Sequence, residues 1–129
     1  MSYTIVDTTT VVISSGESLS GAVNLQNRTP NALGITGKAG LRLFGIVMPS
    51  AWTAANLTFQ ASFDGGTTWV DVMDATGAEY VVTAGTSRYI PIDPTPFSAI
   101  ALLRIRSGTS VLPVNQADAR SLTLVLRNY

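Results

Sequence analysis

Apolar residues recur at every second position along most of this chain, in short runs closed by glycine, proline, aspartate or asparagine. In Leu57-Thr58-Phe59-Gln60-Ala61-Ser62-Phe63 the odd positions are apolar and the even ones polar. Successive strand side chains point to opposite faces, so this pattern puts one face on a core and the other in water. Leu122, Leu124 and Leu126 repeat it near the carboxyl end, with Ser121, Thr123 and Arg127 opposite. Phe97, Ala99, Ala101, Leu103 and Ile105 form another such face, with Ser98, Arg104 and Arg106 on its reverse beside Ile100 and Leu102.

Further candidate strands cover residues 10–14, 19–25, 41–48, 68–73, 79–83 and 88–92. Between them stand Ser15-Gly16, Asp64-Gly65-Gly66, Thr76-Gly77, Ala84-Gly85 and Asp93-Pro94-Thr95-Pro96, where glycine supplies positive φ or proline fixes φ. About nine short strands at this spacing predict an all-β fold, a sandwich or a barrel. Residues 1–9 read as an N-terminal arm and 10–129 as the sandwich. Helical signal is confined to 50–56 and 113–120, both too short for an amphipathic helix. The longest irregular stretch is 26–40. The run 41–48 is apolar on both faces after Arg42, which predicts a central strand or one at a subunit interface.

The chain has 129 residues, one domain's worth, with no cysteine and no histidine. Disulfides, thiolate zinc sites, cysteine nucleophiles, Ser-His-Asp triads and His-ligated metals are thereby excluded. Eight basic residues balance eight acidic ones, and charged residues make up only 12%. That balance argues against non-specific nucleic-acid binding, and the scarcity of charge argues for surface hidden in an assembly. No apolar run approaches the roughly 18 residues of a membrane span, and Met1-Ser2-Tyr3-Thr4 lacks the pattern of a secretory signal. We therefore expect a soluble protein with no membrane and no nucleic-acid partner.

The carboxylates are the remaining acid–base candidates. They are scattered, whereas a glycosidase needs two flanking one cleft. Asp71, Asp74 and Glu79 lack calcium-loop spacing and read as turn residues. Trp52 lies in a Pro-Ser-Ala-Trp-Thr-Ala-Ala-Asn loop, where its ring either stacks on a sugar face or caps one end of the sandwich. Arg104 and Arg106, with Arg88, Arg120 and Arg127, either pair with acidic groups of a partner or form a solvated face.

Ser62-Phe63-Asp64-Gly65-Gly66-Thr67-Thr68-Trp69 resembles an Asp-box, the Ser-x-Asp-x-Gly-x-Thr-Trp hairpin of sialidases and other propeller proteins. Ser62, Asp64, Gly66, Thr68 and Trp69 match its fixed positions. The resemblance implies a structural turn in which Asp64 accepts backbone N–H bonds and Trp69 packs beneath.

As a whole the chain resembles the jelly-roll head decoration or cement proteins of tailed bacteriophages: its length, the missing Cys and His, Thr8-Thr9-Thr10 near the start, and a strand at the very end all agree. The resemblance implies an all-β fold, a single antiparallel β-sandwich of jelly-roll-like form with eight or nine strands, in a non-catalytic virion protein without cofactor or metal, made in the host cytoplasm and bound to the capsid exterior. Its partners would be the major capsid protein and, as a homo-dimer or trimer, copies of itself. The arm, the loop holding Arg28 and Lys38, and the arginine face with Arg104 and Arg106 are the expected contacts, with Trp52 a further candidate. A carbohydrate- or receptor-binding sandwich of a phage tail or fibre is the alternative.

Overall fold

The computed structural model describes residues 6–26 and 40–128. Eight strands follow in order: β1 (Val6–Ile13), β2 (Val23–Asn24), β3 (Arg42–Val47), β4 (Leu57–Ser62), β5 (Val70–Asp71), β6 (Tyr89–Pro91), β7 (Leu102–Ser107) and β8 (Arg120–Arg127). They form two four-stranded sheets, β1-β8-β3-β6 and β2-β7-β4-β5. Every pairing is antiparallel: the first strand pairs with the last, the second with the seventh, the third with the sixth and the fourth with the fifth. A long antiparallel ribbon rolled across two layers produces this order, which is the jelly-roll order. Only β4 and β5 are consecutive strands within one sheet; every other connection crosses between layers.

The core lies between the sheets. Ile13, Leu43, Ile46, Leu122, Leu124 and Leu126 face Leu57, Phe59, Leu103 and Ile105, all fully buried. Phe59, Tyr80 and Phe97 form an aromatic cluster, the Phe59 and Phe97 rings meeting edge-on at 5.1 Å. Each fully buried Leu, Ile or Phe contributes about 1.5–3 kcal/mol, most of which offsets the entropy of ordering the chain.

Several expected boundaries move. β1 begins at Val6, which stands opposite Arg127, so Val6 to Thr9 belong to the sheet and not to an arm. Asp7, a carboxylate at a core-facing position of this segment, is 1% exposed. Residues 97–105 divide into a short 3-10 turn at Thr95–Phe97 and the later strand β7. Pro94 and Pro96 fix φ and lack an N–H, and so oppose a strand there. The expected strand at 79–83 is reduced to isolated bridges, Met73 with Glu79 and Leu57 with Val82. The 19–25 stretch keeps only the two residues of β2, with bridges at Leu19 and Ser20.

Candidate functional site

The two outer faces of the sandwich differ in kind. On the second sheet, alternation in β4 and β7 turns Thr58, Gln60, Ser62, Arg104 and Arg106 outward. These residues do not meet water as the period-two pattern predicts: Thr58 and Ser62 are fully buried and Arg106 is 5% exposed. A covering layer of polar contacts lies over them. The Arg106 guanidinium donates to Asp71 Oδ1 at 2.6 Å, Glu79 Oε2 at 3.1 Å and Thr58 Oγ1 at 3.4 Å. Glu79 in turn accepts the Ser110 backbone N–H, and Thr58 Oγ1 donates to the Gly108 carbonyl at 2.8 Å.

Arg104 completes this layer. Its Nε donates to Gln60 Oε1 at 2.8 Å and its guanidinium lies 4.1 Å from the Trp69 ring centroid, a cation–π contact. Burial, reinforced by the neighbouring Arg106 cation, lowers the Arg104 pKa. The hydrogen bond from Arg106 holds the Asp71 carboxyl below the ordinary carboxylate value, against a burial effect of opposite sign. Arg106 is therefore an internal ion-pair residue, which corrects its expected role as a partner contact. A buried cation is strongly disfavoured without paired charge, and the chain supplies its own counterions.

The Asp64 turn lies at the end of the same sheet. Ser62 Oγ donates to Asp64 Oδ1, Gly66 N–H donates to Ser62 Oγ, and Thr68 N–H donates to Asp64 Oδ1, at 2.9, 2.9 and 2.8 Å. Gly65 and Gly66 carry φ of 75° and 96°, which side-chain-bearing residues rarely adopt. The Thr68 backbone N–H, first among several donors, lowers the Asp64 pKa. Trp69 lies between the glycine turn and Arg104, half-buried.

Trp52 sits apart from both arginines. Its indole N–H donates to the Ala55 carbonyl at 3.0 Å and its ring packs against the core, so the half-buried ring is held by its own loop and by the core. Gln116, which sequence reasoning missed, anchors that loop. Fully buried, it accepts from Thr53 N–H and Arg120 Nε, and donates to the Thr53 carbonyl and Ser107 Oγ. A glutamine between loops carries no periodic signal, so only the fold identifies it. Arg28 and Lys38 lie outside the described residues.

The outer face of the first sheet exposes apolar side chains. Alternation places Val6, Thr8, Thr10 and Val12 of β1 beside Ser121, Thr123, Val125 and Arg127 of β8, then Phe44 and Val47 of β3 beside Tyr89 of β6. Val6, Val12, Val47 and Tyr89 are all exposed large apolar residues. Tyr89 lies across Gly45, where a Cβ would collide with the ring. Among the described strand residues of this face, charge lies at one end, where the Arg42 and Arg127 guanidinium groups flank Phe44 at 5.9 and 5.7 Å. The strand predicted to be apolar on both sides, β3, is thus central in its sheet and also contributes to this surface.

A second exposed apolar feature is the β7–β8 connection, where Val111 and Leu112 are 84% and 74% exposed. The turn beneath them is firmly built: Thr109 N–H donates to the Leu112 carbonyl, Leu112 N–H to Thr109 Oγ1 and Ser110 N–H to Glu79. Concave features are weak by contrast. A shallow depression of about 310 Å³ is lined by Gly16, Glu17, Ser18, Leu19 and Asn115. Among the described residues no acidic group of three or more is arranged to hold a metal ion, and no helix is long and apolar enough to cross a membrane. Comparison with known proteins adds no name: no family model matches the chain, and neither a curated protein nor a solved structure matches it.

Proposed function

We propose that this protein is a non-catalytic structural protein that docks onto an assembled protein lattice, the role of a phage head decoration or cement protein. The observation that carries the reading is the apolar outer face of the β1-β8-β3-β6 sheet. It combines exposed Val6, Val12, Val47 and Tyr89 with threonines and almost no charge, the composition of a surface that gains by being covered. The jelly-roll strand order and the preorganised Val111–Leu112 tip support the same reading. The partner is then the major capsid protein, and the location the exterior of the virion.

The mechanism is linkage. A protein that binds only the assembled lattice lowers the free energy of that state by RT ln(1 + [L]/Kd) at each site, about 2.7 kcal/mol at a hundredfold excess over Kd. Many sites act together, and no reacting group is required.

The test is quantitative mass spectrometry of virus particles from the same source, followed by addition of purified protein to expanded capsids lacking it. We expect saturable binding at a copy number commensurate with the lattice, abolished by Val47→Asp without change in melting temperature. Absence from particles together with no saturable binding overturns the reading.

A further inference from the structure

Sheet edges are where folded β-proteins invite unwanted pairing, and three of the four edges here are blunted in familiar ways. β2 and β5 are two residues each, and β6 is three residues ending in Pro91. The fourth edge, β1, is eight residues long, in unbroken register with β8. It contains no proline, no lysine and no bulge, and its only charge, Asp7, is turned into the protein.

The side of β1 that faces away from β8 can be identified residue by residue. The Val12 carbonyl accepts from Gly21 N–H, a segment on the far side from β8. Backbone groups alternate in direction along a strand, so Val6, Thr8 and Thr10 also aim their N–H and C=O groups outward. Among the described residues nothing bonds to them there, whereas Val12 is already capped by the Ser20–Gly21 segment.

We propose that this edge is occupied by a second copy of the chain, β1 pairing antiparallel with β1 about a two-fold axis at Thr8. In that register Thr8 faces its own symmetry mate, and Val6 faces Thr10 of the other copy and the reverse. Each of these pairs exchanges two backbone hydrogen bonds. The side chains meeting across the seam are β-branched and uncharged, a favourable cross-strand combination. Asp7 falls opposite Thr9, so no like charges meet. A register centred on Thr10 would bring Val12 into the seam, where Gly21 already holds its carbonyl. The result is a continuous eight-stranded sheet with the two apolar outer faces side by side. This inference does not rest on the lattice-docking reading; it predicts the state of the isolated protein.

The chain lacks cysteine, so single-cysteine cross-linking reads the register directly. In the proposed dimer the two Thr8 Cα atoms lie about 5.5 Å apart, within disulfide range. The two Thr10 Cα atoms lie roughly 14 Å apart. Thr8→Cys should therefore cross-link rapidly under mild oxidation, and Thr10→Cys should not. In sedimentation velocity over the micromolar range the wild-type chain should approach twice its monomer mass. Thr8→Pro removes an outward N–H without touching the β8 ladder, and Thr8→Lys sets two cations against each other on the axis. Each should raise the dimer Kd at least about tenfold, with an unchanged melting temperature at concentrations low enough that both chains are monomeric. A wild-type chain that stays monomeric throughout this range, or a Thr10→Cys variant that cross-links as fast as Thr8→Cys, overturns the proposal.

Discussion

Replacing Arg106 by alanine tests whether the covered face of the second sheet is held by its ion pairs. The substitution removes the donors to Asp71 and Glu79 at 2.6 and 3.1 Å and leaves both carboxylates facing a void. Removing one member of a fully buried pair costs about 3–5 kcal/mol. Here the Arg106 side chain is 7% exposed, but Asp71 and Glu79 retain 27% and 16% of their side-chain surface. The stranded carboxylates can partly rehydrate, so the cost falls toward the lower end, about 3 kcal/mol. With a urea m-value of about 1.5 kcal/mol/M, the unfolding midpoint should drop by about 2 M at neutral pH. The pH dependence follows from Asp71, whose folded pKa lies below its ordinary value of 3.8 because Arg106 donates to it. A depressed carboxyl contributes stability above its unfolded pKa and loses it as pH falls through the folded pKa. The gap between wild type and Arg106→Ala should therefore be full at neutral pH and narrow below 3.8. Urea melts at neutral and acid pH measure both quantities. A midpoint shift below about 0.5 M at neutral pH, or a gap that widens in acid, would mean that these ion pairs do not hold the face.

Three further outcomes can be measured on the same preparation. Gly108 has φ of +88°, and a Cβ there would collide with the Leu112 carbonyl, so Gly108→Ala should cost about 2 kcal/mol or more; an unchanged midpoint would mean that the Val111–Leu112 turn is not rigid. Asp64→Ala should abolish protection of the Thr68 amide in hydrogen exchange, and in the wild type that protection should fall as pH drops below 3.8 through the lowered folded pKa. Trp52→Ala should lower stability by about 2–4 kcal/mol, because the ring packs against the core; a near-neutral change accompanied by lost glycan retention would restore the sugar-binding alternative.

The fold class was legible because burial on one face of a strand imposes period two, and Leu57 to Ala61 and Leu122 to Leu126 obey it cleanly. Turn chemistry was legible for a similar local reason: Asp64-Gly65-Gly66 closes within eight residues, so its hydrogen bonds need no distant partner. Errors arose where a distant contact overrides the local pattern. Val6 to Thr9 read as part of an arm until β8 pairs with them, and Arg106 reads as an outward cation until Asp71 of β5 and Glu79 beyond it arrive from 35 and 27 residues away in sequence. Thr58 and Ser62 alternate correctly, yet their outer side is covered by residues that alternation does not mention.

Local sequence is enough to specify that the chain forms short strands, where several of them turn, and which common catalytic groups it lacks. Those properties depend on residue type, spacing and backbone preference over a few positions. Which strands are neighbours, that one outer face closes over a buried arginine while the other exposes apolar side chains, and that β1 is, among the described residues, a long edge strand are set by tertiary structure alone. Strand pairing is decided by contacts between residues far apart in the chain, whose free energy is expressed only once both sheets are in place.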